Sequence, residues 1–196
     1  MEVTLLGTGD TTGTPTPDCS CDTCEAARER GVKRSRFSVH VHHERTDESL
    51  LVDASPDLRH QFLANDVPLP DEVLISHIHF DHLDGLGNAY RLVSDVPVHA
   101  ADETDPETGE SVVETVDRRY DYLDAVTPVP RTPFEPFEAG GLPLTPLAVD
   151  APQLHCYGRA LQDPDTGAHP ALDVGKQTAV RRDAAGGPPN RTNERS

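Results

Sequence analysis

Ile75-Ser76-His77-Ile78-His79-Phe80-Asp81-His82-Leu83-Asp84-Gly85-Leu86 sets three histidines and an aspartate in the pattern H-x-H-x-D-H directly behind the apolar run Val73-Leu74-Ile75. In an extended segment, residues two apart share a side, so His77 and His79 face the same way. Imidazole nitrogens and carboxylate oxygens are the donors that hold zinc and similar ions. A strand ending in this cluster therefore delivers a half-built metal site to the edge of a sheet. The alternative is histidines satisfied in a core or scattered on a surface. It requires several polar rings and a carboxylate to gather behind a hydrophobic strand by accident.

Outward from this stretch, Val3 to Gly7 reads as a short strand, followed by a Gly-, Thr- and Pro-rich loop from Thr8 to Pro17. A short helix through Glu25 to Arg30 ends at Gly31. Phe37 to Val41 and Ser49 to Asp53 read as paired strands joined by the charged turn His43 to Glu48. Asp57 to Asn65 reads as a helix with Leu58, Phe62 and Leu63 on one side. Beyond the histidines, Leu83 to Leu92 reads as helical, Val96 to His99 as a strand, Ser111 to Leu123 as a helix and Leu142 to Val149 as a strand. This alternation predicts an α/β chain with sheet and helices in separate layers.

Cys19, Cys21 and Cys24 lie in one loop with a C-x-C-x-x-C spacing that follows neither helix nor strand periodicity. In an intracellular setting a structural metal held by three thiolates suits them better than a disulfide. Small buried cysteines or a redox role are the alternatives. Cys156, inside Leu154-His155-Cys156-Tyr157, reads as core.

The 196 residues suffice for one domain with a real core, and acidic residues outnumber basic ones 34 to 17 for a formal charge of −17. Such a surface repels nucleic acid and anionic membranes. Lysine occurs only at Lys33 and Lys176. This balance resembles that of proteins from salt-loving archaea, and the plainer reading is an acidic cytosolic protein. No apolar stretch has membrane-spanning length and the start lacks a basic, cleavable leader, so a soluble cytoplasmic protein is expected.

Together, Met1 to Gly9, the cysteine loop, Leu51-Val52-Asp53-Ala54-Ser55-Pro56-Asp57-Leu58 and Ser76 to Leu86 resemble the metallo-β-lactamase superfamily. Within it they resemble the branch containing the phosphoribosyl 1,2-cyclic phosphate phosphodiesterase of phosphonate breakdown. The resemblance runs in order from Met1 to about Gly158. It implies an αββα sandwich with two zinc or manganese ions at the histidine cluster, His77 and His79 serving the first and Asp81 and His82 the second. It also implies Asp53 steadying the cluster from behind, a structural zinc on Cys19, Cys21 and Cys24, and hydrolysis of a small (cyclic) phosphoester by metal-activated water. Asp81 then both ligates and handles the proton of that water.

The chain departs from the family's pattern in its second half. Ala151 stands where the resemblance calls for a third histidine, and His155 is nearby in a different context. Asp173 is the one candidate for a bridging carboxylate, and no histidine follows His169. From Lys176 onward five basic residues against two acidic ones leave +3, while the preceding residues carry −20. The expectation is an incomplete domain over residues 1–158, only the N-terminal half plus part of the second. Residues 159–196 are expected to form a disordered or non-native tail. An unpaired sheet edge invites a homodimer or aggregation. A non-catalytic truncated relative and a nuclease resembling tRNA-processing ribonuclease Z are the competing readings. The cysteine loop and the missing basic arm speak against the latter.

Overall fold

The computed structural model describes residues 1–149, 154–161, 167 and 171–172. Asp150, Ala151, His169, Asp173 and nearly all of the expected tail lie outside these described residues. In chain order the elements are β1 (Glu2–Gly7), α1 (Asp22–Glu29), β2 (Ser38–His43), β3 (Glu48–Val52), α2 (Leu58–Asn65), β4 (Glu72–Ile75), α3 (Phe80–Leu83), a 3₁₀ turn (Asp84–Asn88) and α4 (Ala89–Leu92). There follow β5 (Val96–Ala101), α5 (Val112–Tyr120), β6 (Val126–Arg131), β7 (Phe137–Ala139), β8 (Leu142–Val149), β9 (Cys156–Leu161) and β10 (Ala171–Leu172).

Two sheets stack. The first has six strands in the order β1-β2-β3-β4-β5-β6, and the second four in the order β10-β9-β8-β7. A tight turn joins β2 to β3 in antiparallel register. The pairs β3–β4, β4–β5 and β5–β6 are parallel, the connections running through α2, the α3–α4 segment and α5. Alternation along the central strands loads both faces. Leu51, Val73, Ile75, Val98 and Ala100 meet Leu58 and Phe62 of α2 and Val112, Val113 and Val116 of α5. Leu50, Val52 and Leu74 point the other way onto Leu142, Leu144 and Leu161 of the second sheet. Because both faces are covered, β3 and β4 read as near-continuous apolar runs. This is the mixed α/β architecture the sequence predicts, with helix, sheet and sheet layers among the described residues.

Several local readings change. Leu63 does not share the buried side of α2 but is 66% exposed. Gln61 takes the inward place because it lies three residues from Leu58 on the helical face. Its amide donates to Ser35 Oγ at 3.0 Å and to the Arg36 carbonyl at 2.7 Å. The single helix expected over Leu83 to Leu92 is broken into α3, a 3₁₀ turn and α4. Strand β6 went unforeseen because Pro128 and Pro130 interrupt its apolar pattern. Both are tolerable in the edge strand that β6 is among the described residues. The helix expected from Ser111 is α5, opened by a capping box in which Ser111 Oγ accepts from Glu114 N and Glu114 Oε2 accepts from Ser111 N. Cys156 is buried, as read.

Between the sheets, Glu72, His99 and Arg131 form a polar cross-brace. Arg131 Nε donates to His99 Nδ1 at 3.1 Å, so the other ring nitrogen carries the proton donated to Glu72. Glu72 also accepts from Gly140 N at 3.0 Å, at the β7–β8 turn, and so ties the first sheet to the second. The His99 hydrogen bond, opposed by burial and helped by Gly140, holds the Glu72 carboxyl below its ordinary value of 4.5. A carboxyl depressed in the folded state stabilises fully above the unfolded value and loses that contribution as pH falls through the lower folded value. Glu72→Gln is therefore expected to lose about 1–2 kcal/mol near neutrality. Its thermal-melting curve against pH should converge on wild type below pH 4.5. A constant gap through that acid range would remove Glu72 from the cross-brace.

Candidate metal centre

Strand β4 stops at Ile75, and the chain turns so that His77 precedes, and His79 caps, the short helix α3. The preorganisation comes from Asp53, fully buried at the end of β3 with φ of 60°. Its Oδ1 accepts from Ser76 N at 2.7 Å, and its Oδ2 accepts from Ser76 Oγ and from the His82 ring at Nδ1, each at 2.7 Å. Since the Ser76 hydroxyl spends its proton on Asp53, it accepts from His77 Nδ1 at 2.8 Å. One carboxylate thus sets the tautomer of two imidazoles, directly for His82 and through Ser76 for His77. In both rings Nε2 then carries the lone pair that a cation would use.

The donor atoms fall into pairs. His77 Nε2 lies 3.0 Å from His79 Nδ1, and His82 Nε2 lies 3.4 Å from Asp81 Oδ2. Two nitrogens bound to one zinc at ordinary bond lengths sit roughly 3.3 Å apart, so each pair matches two corners of one ion's shell. The His77 and His82 rings are 4.1 Å apart between centroids. Among the described residues, however, no three of these four bring donor atoms within 4.8 Å of one another, so the site is a set of two-donor pairs rather than one converged cage. Asp81 is buried and its Oδ1 has no hydrogen-bond partner among the described residues. A buried carboxylate oxygen without a partner is costly unless a cation meets it. These residues therefore fit divalent ions.

Two further features hold the cluster. Ala54 N donates to the His82 carbonyl and Gly85 N to the Ala54 carbonyl, each at 2.8 Å, clamping α3 onto the end of β3. Tyr157 N donates to the Ser76 carbonyl at 3.2 Å, linking β9 to the same turn. Ser76 and Tyr157 escaped the sequence reading. A small hydroxyl between strand and first histidine was the available signal for Ser76, whereas Tyr157 offered none.

His155 meets the acidic segment after β5 and the ring of Tyr157. Its backbone N–H donates to Asp105 Oδ2 at 2.6 Å, its Nδ1 lies 3.5 Å from Glu103 Oε2, and its ring meets Tyr157 edge-on. Burial opposes the charge on Asp105, but N–H donors from His155, Glu107 and Thr108 hold its carboxyl below the ordinary range. His155 anchors β9 beside the site.

The cysteine loop forms a second cluster. One sulfur each from Cys19, Cys21 and Cys24 lie within 4.8 Å of one another. Cys21 is the N-cap of α1. Arg28 fastens the loop by donating to the Cys19 carbonyl at 2.6 Å and the Thr16 carbonyl at 2.9 Å. The Cys24 backbone N–H, with further donors from Cys19 and Cys24, draws the Cys21 thiol below its ordinary range, toward the thiolate that binds metal.

The family model described as the beta-lactamase superfamily domain matches residues 48–169. The chain belongs to the metallo-β-lactamase superfamily. Among solved structures it is similar to a diphosphatase from the PhnP family, at 26% identity and a TM-score of 0.67 over 82% of this chain and 61% of that one. It is also similar to Zn²⁺-bound PqqB from Methylobacterium extorquens, at 22% identity and 0.68 over 87% and 64%. Human tRNase Z, short form, matches at 16% and 0.60 over 93% and 71%. The last two likenesses speak for the fold. A protein named octanoyltransferase from Porphyromonas gingivalis is 30% identical over 160 residues, 76% of this chain but 30% of that protein. This superfamily member thus spans about three-fifths of the first two structures and under a third of the octanoyltransferase. No helix among the described residues is long and apolar enough to cross a membrane.

Proposed function

We propose that this chain carries the catalytic half of a metal-dependent hydrolase acting on a small phosphoester, with His77 and His79 serving one divalent ion and Asp81 and His82 a second. The observation that carries this reading is the Asp53-Ser76 arrangement, which fixes the lone pair of both imidazoles on Nε2, beside an unpartnered Asp81 oxygen. When bound, zinc or manganese at these donors supplies Lewis acidity that lowers the pKa of water and offsets charge developing on phosphoryl oxygens. Asp53 keeps the imidazoles aimed, with each Nε2 turned toward the ion. Asp81 Oδ1 is positioned to take the proton of an attacking water. His79 and Phe80 are exposed beside the buried donors, leaving that side open to a small substrate. The likeness to a PhnP-family diphosphatase supports a phosphoester over other substrates.

The residue at position 151 favours a second reading, a non-catalytic relative. Ala151, in the place where the family resemblance calls for a third histidine, leaves the first pair an open and weaker site. Metal analysis together with turnover of bis(p-nitrophenyl) phosphate separates the two. Two retained ions at the histidines with measurable turnover support the hydrolase. One ion or none, with no turnover, supports the relic.

Cys19, Cys21 and Cys24 are proposed to hold a structural zinc. Cys21→Ser is expected to release about one zinc per chain and to lower the melting temperature, because zinc binding and folding are linked. Unchanged zinc content would count against the site.

A further inference from the structure

Beside Arg36 lies an open cleft of about 510 Å³, walled by the loop after β1, the segment before β2 and one flank of α2. Its charge runs against that of the molecule. The lining holds Lys33, Arg34 and Arg36, with His60, and Asp57 is its one carboxylate. Lys33 is one of only two lysines in a chain of formal charge −17. Asp57 is already engaged, accepting from Arg36 Nη1 at 2.9 Å and from Arg36 N at 3.0 Å. Among the described residues neither Lys33 nor Arg34 has an acidic partner, and both are exposed.

The frame around these side chains is fixed. Thr14 and Arg34 exchange two backbone hydrogen bonds of 2.9 and 2.7 Å, and Gln61 buttresses the Arg36 carbonyl at 2.7 Å. Two cations without acidic partners on a braced backbone, in a chain of formal charge −17, focus positive potential in one place. Arginine and lysine so arranged suit a tetrahedral oxyanion. The cleft also shares a wall with the metal centre. The Arg36 guanidinium lies 5.8 Å from the centre of the Phe80 ring, and the neighbouring Phe37 ring lies 5.8 Å from that of His82.

We propose that this cleft is an anion site that binds a phosphate group, either free or carried on a small ligand. The test follows the backbone amide resonances of the full chain, at constant ionic strength, during titration with inorganic phosphate and separately with glycerol 3-phosphate. Saturable shifts at Thr12, Gly13, Thr14, Lys33 and Arg34 are expected. Affinity should fall about tenfold or more in K33A/R34A and stay the same in His77→Ala/His79→Ala, which removes the neighbouring donors. Tighter binding of glycerol 3-phosphate identifies a carried phosphate, and equal or weaker binding a free ion. The amide spectrum of each variant reports its fold directly, and the milder K33Q/R34Q pair replaces the alanine variant if that spectrum collapses. Shifts confined to residues 77–82, shifts reproduced by potassium chloride alone, or undiminished affinity in the charge-deleted variant would overturn the proposal.

Discussion

Asp53→Asn is expected to leave the fold largely intact while weakening metal binding at His82 by about 10- to 100-fold. Asparagine tolerates the left-handed backbone that position 53 adopts at φ of 60°. Its oxygen can still accept from Ser76 N. Its amide nitrogen, however, would face Ser76 Oγ and His82 Nδ1, both of which now donate to Asp53 Oδ2. Relief of that conflict drives His82 into the tautomer protonated at Nε2, the atom that should meet the ion. Asp53→Ala strands Ser76 and His82 without their acceptor in a buried site, and its cost should be about 3–5 kcal/mol. Titration of zinc or manganese into each variant, alongside denaturant unfolding, separates the affinity effect from the stability effect. An asparagine variant binding metal as wild type does would show that the carboxylate sets no tautomer.

Gly85→Ala should be a severely disruptive single-methyl change. A β-carbon at position 85 would sit 2.1 Å from the Ser55 carbonyl oxygen and 2.6 Å from that of Ala54. Both are backbone atoms, and Gly85 N donates to that same Ala54 carbonyl. Neither can yield without prising α3 from the end of β3, which carries Asp53 away from His82. The expected loss is about 3 kcal/mol or more, read as a lower denaturant midpoint with unchanged slope. Gly87→Ala is the control, because a β-carbon at position 87 would meet nothing within 4 Å. Its effect should stay within about 0.5 kcal/mol. Comparable midpoints for the two variants would contradict the close clamp.

What was legible in the sequence followed from periodicity. The strands β3, β4 and β5 announce themselves because both faces are buried and their residues are almost all apolar. The histidine cluster announces itself because polar ligands directly behind such a strand have few structural uses. Asp53 was marked only by family resemblance, since nothing local distinguishes a carboxylate whose partners lie 23 and 29 residues away. Tyr157 and Asp105 were hidden for the same reason, their contacts being made across layers. Leu63 was misplaced by treating adjacent apolar residues as one face, when a single residue step turns a helix by about 100°. Strand β6 was lost to its prolines, which an edge position permits.

Metal content per chain measures the central claim most directly. It should be determined by elemental analysis for the wild type, for His77→Ala/His79→Ala and for Cys19→Ser/Cys21→Ser/Cys24→Ser, after equilibration with zinc and removal of loosely held ions. The histidine variant is expected to lose bound metal that the cysteine variant retains, and the cysteine variant to lose a separate portion. A histidine variant that holds as much metal as the wild type would contradict the reading of His77, His79, Asp81 and His82 as a metal centre.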